Sequence, residues 1–392
     1  MTSEKSKLQN RELSIWEKNL LGVPVDDVPK LIPGFFAVSI LAWFSIWLSK
    51  LVGVKLLGFD KSPVSPVMLA ILLGLIISAV IPLPASLKPG LSFAVKKVLR
   101  LGIILLGIRL TIFDVFRLGL YGIPIVVICI IGALVITTQV NKWLKLPPRL
   151  GALIAVGTSI CGVSAIVATS PAIEAEEEET AYAVAVITIF GLFATLIYPY
   201  AANVIFAGNA MRVGLWLGTS IHDTSQVIGA AKVYADVFSQ PLALDVATVT
   251  KLVRNVFMVL VIPFMAYFYT RNMKEEDVSK RKVTNPFKLL PLFILGFLAM
   301  AVIRSIGDAG IRTSGVAFGL WDAETWTGII KFITGWAGNF LVVALAGVGL
   351  STKISTFRGL GLKPFIVGLC AALAVGVVSY ITIMVVGGLV SL

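Results

Sequence analysis

Apolar runs close to the roughly 20 residues that cross a bilayer as helix recur from Leu31 to the C-terminus; Ile123 to Thr138, Val256 to Phe268 and Pro364 to Gly388 are examples. A chain built of such runs has lipid as its main solvent, and lipid leaves helices and closed barrels as the spanning structures. Composition agrees: 57% of residues are hydrophobic, 14% are charged and mean hydropathy is +0.94, where a soluble domain carries about a quarter charged residues. The expected class is an all-α polytopic membrane protein.

About eleven spans are expected, near 31–50, 64–84, 91–112, 121–141, 150–171, 181–206, 211–231, 243–269, 288–306, 327–350 and 364–389. The basic clusters Lys96/Lys97/Arg100, Lys142/Lys145/Arg149, Arg271 to Lys282 and Lys353/Arg358/Lys363 fall on one side if the N-terminus is cytoplasmic and the C-terminus external. The acidic run Glu174 to Glu179 and the Gly307 to Trp326 loop then lie outside. A net charge of +12 is dispersed among these clusters, so it sets orientation and does not mark a nucleic-acid site. Cys129, Cys161 and Cys370 sit singly in apolar segments and read as packing residues, with no metal or disulfide pattern. The first 30 residues mix acidic and basic side chains, unlike a cleaved signal, and are expected to stay in the cytoplasm.

Gly157-Thr158-Ser159-Ile160 recurs as Gly218-Thr219-Ser220-Ile221. With one span between them the two segments are expected to run in the same direction. An inverted repeat is therefore sought elsewhere, as a segment 1–30, an extra helix and loop over 31–63, and two inverted five-helix halves over 64–207 and 208–392. In that scheme the fifth span, with Gly157, Gly162 and Pro171, pairs with the tenth, with Gly335, Gly338, Gly347 and Gly349. Both have the interrupted composition of discontinuous, crossing transporter helices.

The polar chemistry lies in spans 5, 7 and 8. "GTSICGVSAIVATSP" supplies hydroxyls and two glycines; an opening there frees amides that favour an anion and carbonyls that favour a cation. Hydroxyls bonded back to their own helix are the alternative. "GTSIHDTSQV" adds His222, the only histidine, and Asp223. A carboxylate at this depth costs about 2.5–3.5 kcal/mol on insertion scales and needs a partner. Lys251 and Arg254 in span 8 are the expected partners, so that the four groups line one aqueous cavity; an ion pair that only locks span 7 to span 8 is the competing reading. Nucleophile elbows, zinc motifs and P-loops are missing from the sequence, and one histidine leaves little room for a triad, so no enzyme is expected.

Taken together, "GTSICGVSAIVATSPAIEAEEEETAYAVAVITIFG", "GTSIHDTSQVIGAA", "VATVTKLVRN", "LRLGIILLGIRLTIFDVFRLG" and "VALAGVGLSTKI" resemble the signature of the sulfate exporter family of bacterial inner-membrane proteins. That family is similar in fold to bile-acid/sodium symporters and cation/proton antiporters. The resemblance implies two inverted five-helix halves and a sulfur oxyanion (sulfate, sulfite or a sulfonate) as cargo. The resulting expectation is an ion-coupled secondary transporter of a small anion in the bacterial inner membrane. Thr158, Ser159, Cys161, Gly162, Ser220, Thr224, Ser225 and Gln226 would hold the substrate, with Lys251 or Arg254 supplying charge. Asp223 would carry a coupling proton or sodium ion, tuned by His222. No other cofactor or metal is expected, and folds of this kind commonly form homodimers through the scaffold half. A cation/proton antiporter exchanging at Asp223 without an anion is the alternative, and a channel or sensor is a third reading.

Overall fold

The computed structural model describes residues 14, 17, 21–56, 62, 64–270, 291–352 and 362–386. Most of the N-terminal segment 1–30, the basic clusters 271–282 and 353–361, and the last part of the eleventh expected span lie outside the described residues. Helices come in chain order: α1 (Ile32–Lys50), α2 (Pro66–Val80), α3 (Lys88–Phe93), α4 (Leu99–Leu106), α5 (Ile112–Trp143), α6 (Pro148–Ser159), α7 (Val163–Thr169) and α8 (Glu177–Ile205). Then follow α9 (Ala210–Ser220), α10 (Thr224–Val237), α11 (Pro241–Val256), α12 (Met258–Thr270), α13 (Phe293–Ser314), α14 (Ala323–Ser351) and α15 (Leu362–Val386). A two-stranded β-hairpin, Val316–Ala317 with Trp321–Asp322, joins α13 to α14. Among the described residues, seven helical stretches are long and apolar enough to cross a membrane. The chain is an all-α multi-pass membrane protein.

Two layers organise it. In one, which we call the scaffold, α14 packs on α1, α2 and α4, and α13 packs on α4. An ideal Cβ on Gly349 of α14 would lie 2.5 Å from the Ile71 carbonyl oxygen of α2, so only glycine permits that approach. The other layer, the core, holds α5, α8, α11–α12 and α15, with α6, α7, α9 and α10 among them.

Those last four are not spans. Along α11, Gly214 of α9 faces Ala243 and Val246, and Gly218, one turn later, faces Ala247 and Thr250, so α9 and α11 run parallel. α10 runs back along α11, with Asn255 at the far end of α11 bonded to Thr224 at the start of α10. Thus α9 and α10 are the arms of a helical hairpin whose tip is 221–223. In the same way Gly157 of α6 packs on Ile166 of α7, although one continuous helix would separate them by about 13.5 Å. Ser170, just past α7, bonds Thr180 near the start of α8. This second pair of arms has its tip at 160–162.

The α11–α12 rod shows how the hairpins face. Its first half lies along α9 and α10; its second half, from Met258 to Met265, shares a core with Leu150, Ile154 and Ile166 of the other hairpin. The hairpins therefore enter from opposite ends and meet tip to tip. An ideal Cβ on Gly162 would sit 3.1 Å from the Cα of Asp223.

Four expectations are corrected by the structure. The GTSI segments do not run in one direction: with 12 and 11 residues, α6 and α9 reach about 18 and 16.5 Å, half of a bilayer core of about 30 Å, and they point at each other. The tenth expected span is not discontinuous, since α14 is one helix of 29 residues whose Gly347 and Gly349 serve packing on the α3–α4 rod and α2. The acidic run is not on the far side from the basic loops. The first hairpin returns to the end it entered, so Glu176 and Glu179, which form the capping box of α8, share that end with Lys142 and Lys145. The Gly307 to Trp326 loop is also reassigned, being helix as far as Ser314 and then the β-hairpin.

The reassigned end can be read by labelling. In a variant lacking the native cysteines, Lys145→Cys and Glu177→Cys should react with an impermeant maleimide from the same face of the membrane, and Ala207→Cys from the opposite face. Labelling of positions 145 and 177 from different faces would remove the first hairpin.

Candidate functional site

Helices α6 and α9 both end at a GTSI segment, and a helix end leaves its last four carbonyls without intrahelical partners. At membrane depth something other than water must satisfy them. Lys251 and Arg254, one turn apart on α11 and 0% exposed, do so. Lys251 Nζ donates to the carbonyls of Ile160 (2.7 Å), Ile221 (3.1 Å) and His222 (2.5 Å). Arg254 donates from Nε to Ser159 (2.6 Å), from Nη1 to Thr219 (2.5 Å) and from Nη2 to the carbonyl of Thr158. Each cation holds both tips at once.

The hydroxyls of the motif return to carbonyls of their own helices, and that of Thr219 also meets the Ser379 hydroxyl of α15 (2.5 Å). Thr158 donates to Ile154 (2.7 Å), Ser159 to Val156 (3.2 Å), Thr219 to Leu215 (2.7 Å) and Ser220 to Trp216 (2.5 Å), each to a carbonyl. Thr158, Ser159 and Ser220 are therefore buried packing positions, contrary to their expected place around a substrate. The four-group cavity is corrected too: among the described residues no ion pair joins Asp223 to Lys251 or Arg254, because backbone carbonyls take up the cationic donors. His222 is 1% exposed; its carbonyl serves Lys251, and its Nδ1 has no hydrogen-bond partner.

Past each tip the polarity reverses. Asp223 is the N-cap of α10, its carboxylate accepting from Ser225 N (2.8 Å) and Ser225 Oγ (2.5 Å). Gln226 completes the capping box by accepting from Asp223 N, and its Nε2 donates to the Thr188 carbonyl, which pins the tip to α8. The Asp-x-x-Gln spacing was legible as a cap signal. At the other tip Gly162 has φ +72°, a backbone that a side chain would strain.

A cavity of about 1920 Å³ lies between the layers and reaches these N-terminal turns. Cys161, Asp223, Thr224, Ser225 and Gln226 line its inner end, joined by Ser164, Thr188 and Asn255. Gly162, His222, Lys251 and Arg254 are not on its wall. Sequence reasoning missed Asn255, which is 1% exposed and donates to Thr224 Oγ1 (3.2 Å); its only signal was adjacency to Arg254. It also missed the mouth, where Lys88, Lys96, Lys97 and Arg100 line the wall. At the opposite end core and scaffold are tied together. Arg109 bonds Asp245 bidentately (2.6 and 2.9 Å), and Asp236, paired with Lys232, accepts from Ser65 (3.1 Å).

With each helix terminus counted as about half a charge, the two cations, the two C-termini, the α10 N-terminus and an anionic Asp223 leave roughly half a positive charge at the tips.

Hydrogen bonds to a charged group contribute about 1.5–3 kcal/mol each, and stranding buried partners costs about 3–5 kcal/mol. Arg254→Leu should therefore lower the yield of monodisperse protein and its Tm steeply. Asp223→Asn, an equally good N-cap, should change stability by less than about 1 kcal/mol. Equal Tm for Arg254→Leu and wild type would mean that the carbonyls do not depend on the cation.

A family profile described as conserved hypothetical protein 698 matches residues 33–368, a stretch that contains both hairpins and α11. The chain is 36% identical over 311 residues to a UPF0324 membrane protein of Corynebacterium glutamicum, covering 78% of this chain and 81% of that protein. It is 31% identical over 369 residues to one of Clostridium tetani, covering 92% and 99%, and 32% identical over 319 residues to one of Bacillus anthracis, covering 81% and 86%. With the profile and these relatives spanning most of its length, the chain belongs to the UPF0324 family of membrane proteins.

Proposed function

We propose that this protein is a secondary transporter of a small anion, working by alternating access between the core and the scaffold. The observation that carries the reading is the basic-walled cavity that ends, between two opposed hairpin tips, at the N-terminal turn of α10. Helix N-termini favour anions, and the residual charge at the tips is positive. Ser164, Thr224 and Asn255 supply donors at the cavity's inner end, and Asp223 takes up the coupling ion as the anion arrives.

The repeat behind alternating access is shorter than two five-helix halves. A hairpin followed by a long helix, α6–α7–α8, is matched in the opposite direction by α9–α10–α11, and both carry GTSI at the tip. Two such units of opposite direction are the ingredient that lets a fixed site face either side in turn. The cavity opens at the end bearing Lys142, Lys145 and Arg149, which the positive-inside rule assigns to the cytoplasm of a bacterial inner membrane. The Arg109–Asp245 and Ser65–Asp236–Lys232 contacts then close the external side.

Within the anions, the motif resemblance points to a sulfur oxyanion. The test is uptake of radiolabelled sulfite into proteoliposomes under imposed proton and sodium gradients, with sulfate and small carboxylates as competitors. Gradient-driven uptake should be present in wild type and lost in Asp223→Asn. Absence of anion flux, with proton movement on adding a cation, would replace this reading by the antiporter. Lys96→Ala with Lys97→Ala should raise KM several-fold at low salt with the maximal rate little changed, and the difference should fade as ionic strength rises. Ser65→Cys with Asp236→Cys should stop transport on oxidation and recover on reduction; undiminished flux in the oxidised protein would place the outer closure elsewhere.

A further inference from the structure

The Lys251 ammonium sits where a broken-helix carrier would hold a metal ion. Unwound carbonyls and half-helix C-termini are the groups that coordinate sodium in such carriers, and rings of backbone carbonyls replace the hydration shell of alkali cations. Here that oxygen set is formed by Ile160 of one tip and Ile221 and His222 of the other. An ammonium has three donors and no acceptor, and three carbonyls receive them. The neighbouring carbonyls, of Thr158, Ser159 and Thr219, are taken by Arg254. Both side chains are 0% exposed.

We infer that Lys251 is a resident cation, tethered through α11 in a carbonyl cage that would otherwise bind a small monovalent cation, so that the hairpin tips need no sodium or potassium. A metal ion in such a cage can leave and carry the energy of its gradient. A tethered ammonium cannot leave. It holds the tips together in every state, and ion coupling falls to a group that faces the cavity, of which Asp223 is the carboxylate at the tips. The inference rests on hydrogen bonds alone and does not require the anion reading; a protein that failed to move anions could still carry the filled cage.

Removing the ammonium should open the cage to a free cation. The full-length protein, purified in detergent, is melted in choline chloride, sodium chloride, potassium chloride and ammonium chloride at one ionic strength. Wild type should give the same Tm in all four. Lys251→Ala should melt lower in choline and regain several degrees, saturably, with sodium, potassium or ammonium, since a ligand that binds only the folded state raises Tm in this way. Lys251→Met, whose chain refills the stem's space without a charge, should melt low and ignore the cation. A saturable sodium shift in wild type would overturn the inference, as would a folded Lys251→Ala that responds to none of the small cations. If Lys251→Ala yields no folded protein, the wild-type comparison decides by itself.

Discussion

Two buried cations meeting two helix C-termini hold the rest of this structure in place. Burying an ion costs several kcal/mol even after relaxation, so neither Lys251 nor Arg254 could lie at membrane depth beside side chains of ordinary apolar character. Each C-terminus brings about half a negative charge and carbonyls that lipid cannot satisfy. Cation and carbonyls are each unfavourable alone, and they offset one another only where both tips are present. The two hairpins therefore depend on α11, and α11 depends on both of them. A hairpin of 12- and 7-residue arms would otherwise have no reason to stop halfway through a membrane.

The same geometry divides the tips by polarity. Carbonyls turn inward to α11 and are consumed, while the N-terminal turn of α10 looks outward to the cavity with Asp223, Thr224 and Ser225 on its wall. Fixed positive charge lies behind the tip, and the open N-terminus lies in front. In the proposed transport cycle, cargo would come and go on one side without disturbing the contacts that hold the tips on the other. A carrier needs that separation, since a substrate held by Lys251 and Arg254 themselves would compete with the fold.

Apolar length made the class and most long helices legible: α1, α8 and α15 fall within a few residues of their expected spans, and α5 begins nine residues before its own. Direction was not legible. Residues 150–171 carry enough apolar length for a crossing, and hydropathy is blind to a reversal at Gly162. Counting both hairpins as spans reverses the chain between them relative to the rest, because the second miscount restores the parity that the first loses. That is why the acidic run was separated from Lys142 and Lys145, with which it shares an end. Lys251 and Arg254 stood out as cations inside a span, yet their partners did not, since a backbone carbonyl has no letter of its own. A carboxylate was the only acceptor visible in the sequence, and Asp223 was assigned to them by default.

The repeated Gly-Thr-Ser-Ile has a common physical meaning at both tips. Its glycine lets the arm approach a neighbour closely: an ideal Cβ on Gly218 would lie 2.8 Å from Thr250 Cβ, and one on Gly157 would lie 2.8 Å from Ile166 Cδ1. Its threonine and serine return their hydroxyls to carbonyls one turn earlier, Thr219 meeting Ser379 of α15 besides, so they neither line the cavity nor compete for the cations. What remains facing outward is the bare oxygen edge of a helix end. Written twice, in arms of opposite direction, the motif presents two such edges to one pair of cations. Identical residues are thus required by the backbone surface they expose, although no side chain of the motif touches Lys251 or Arg254 through a hydrogen bond.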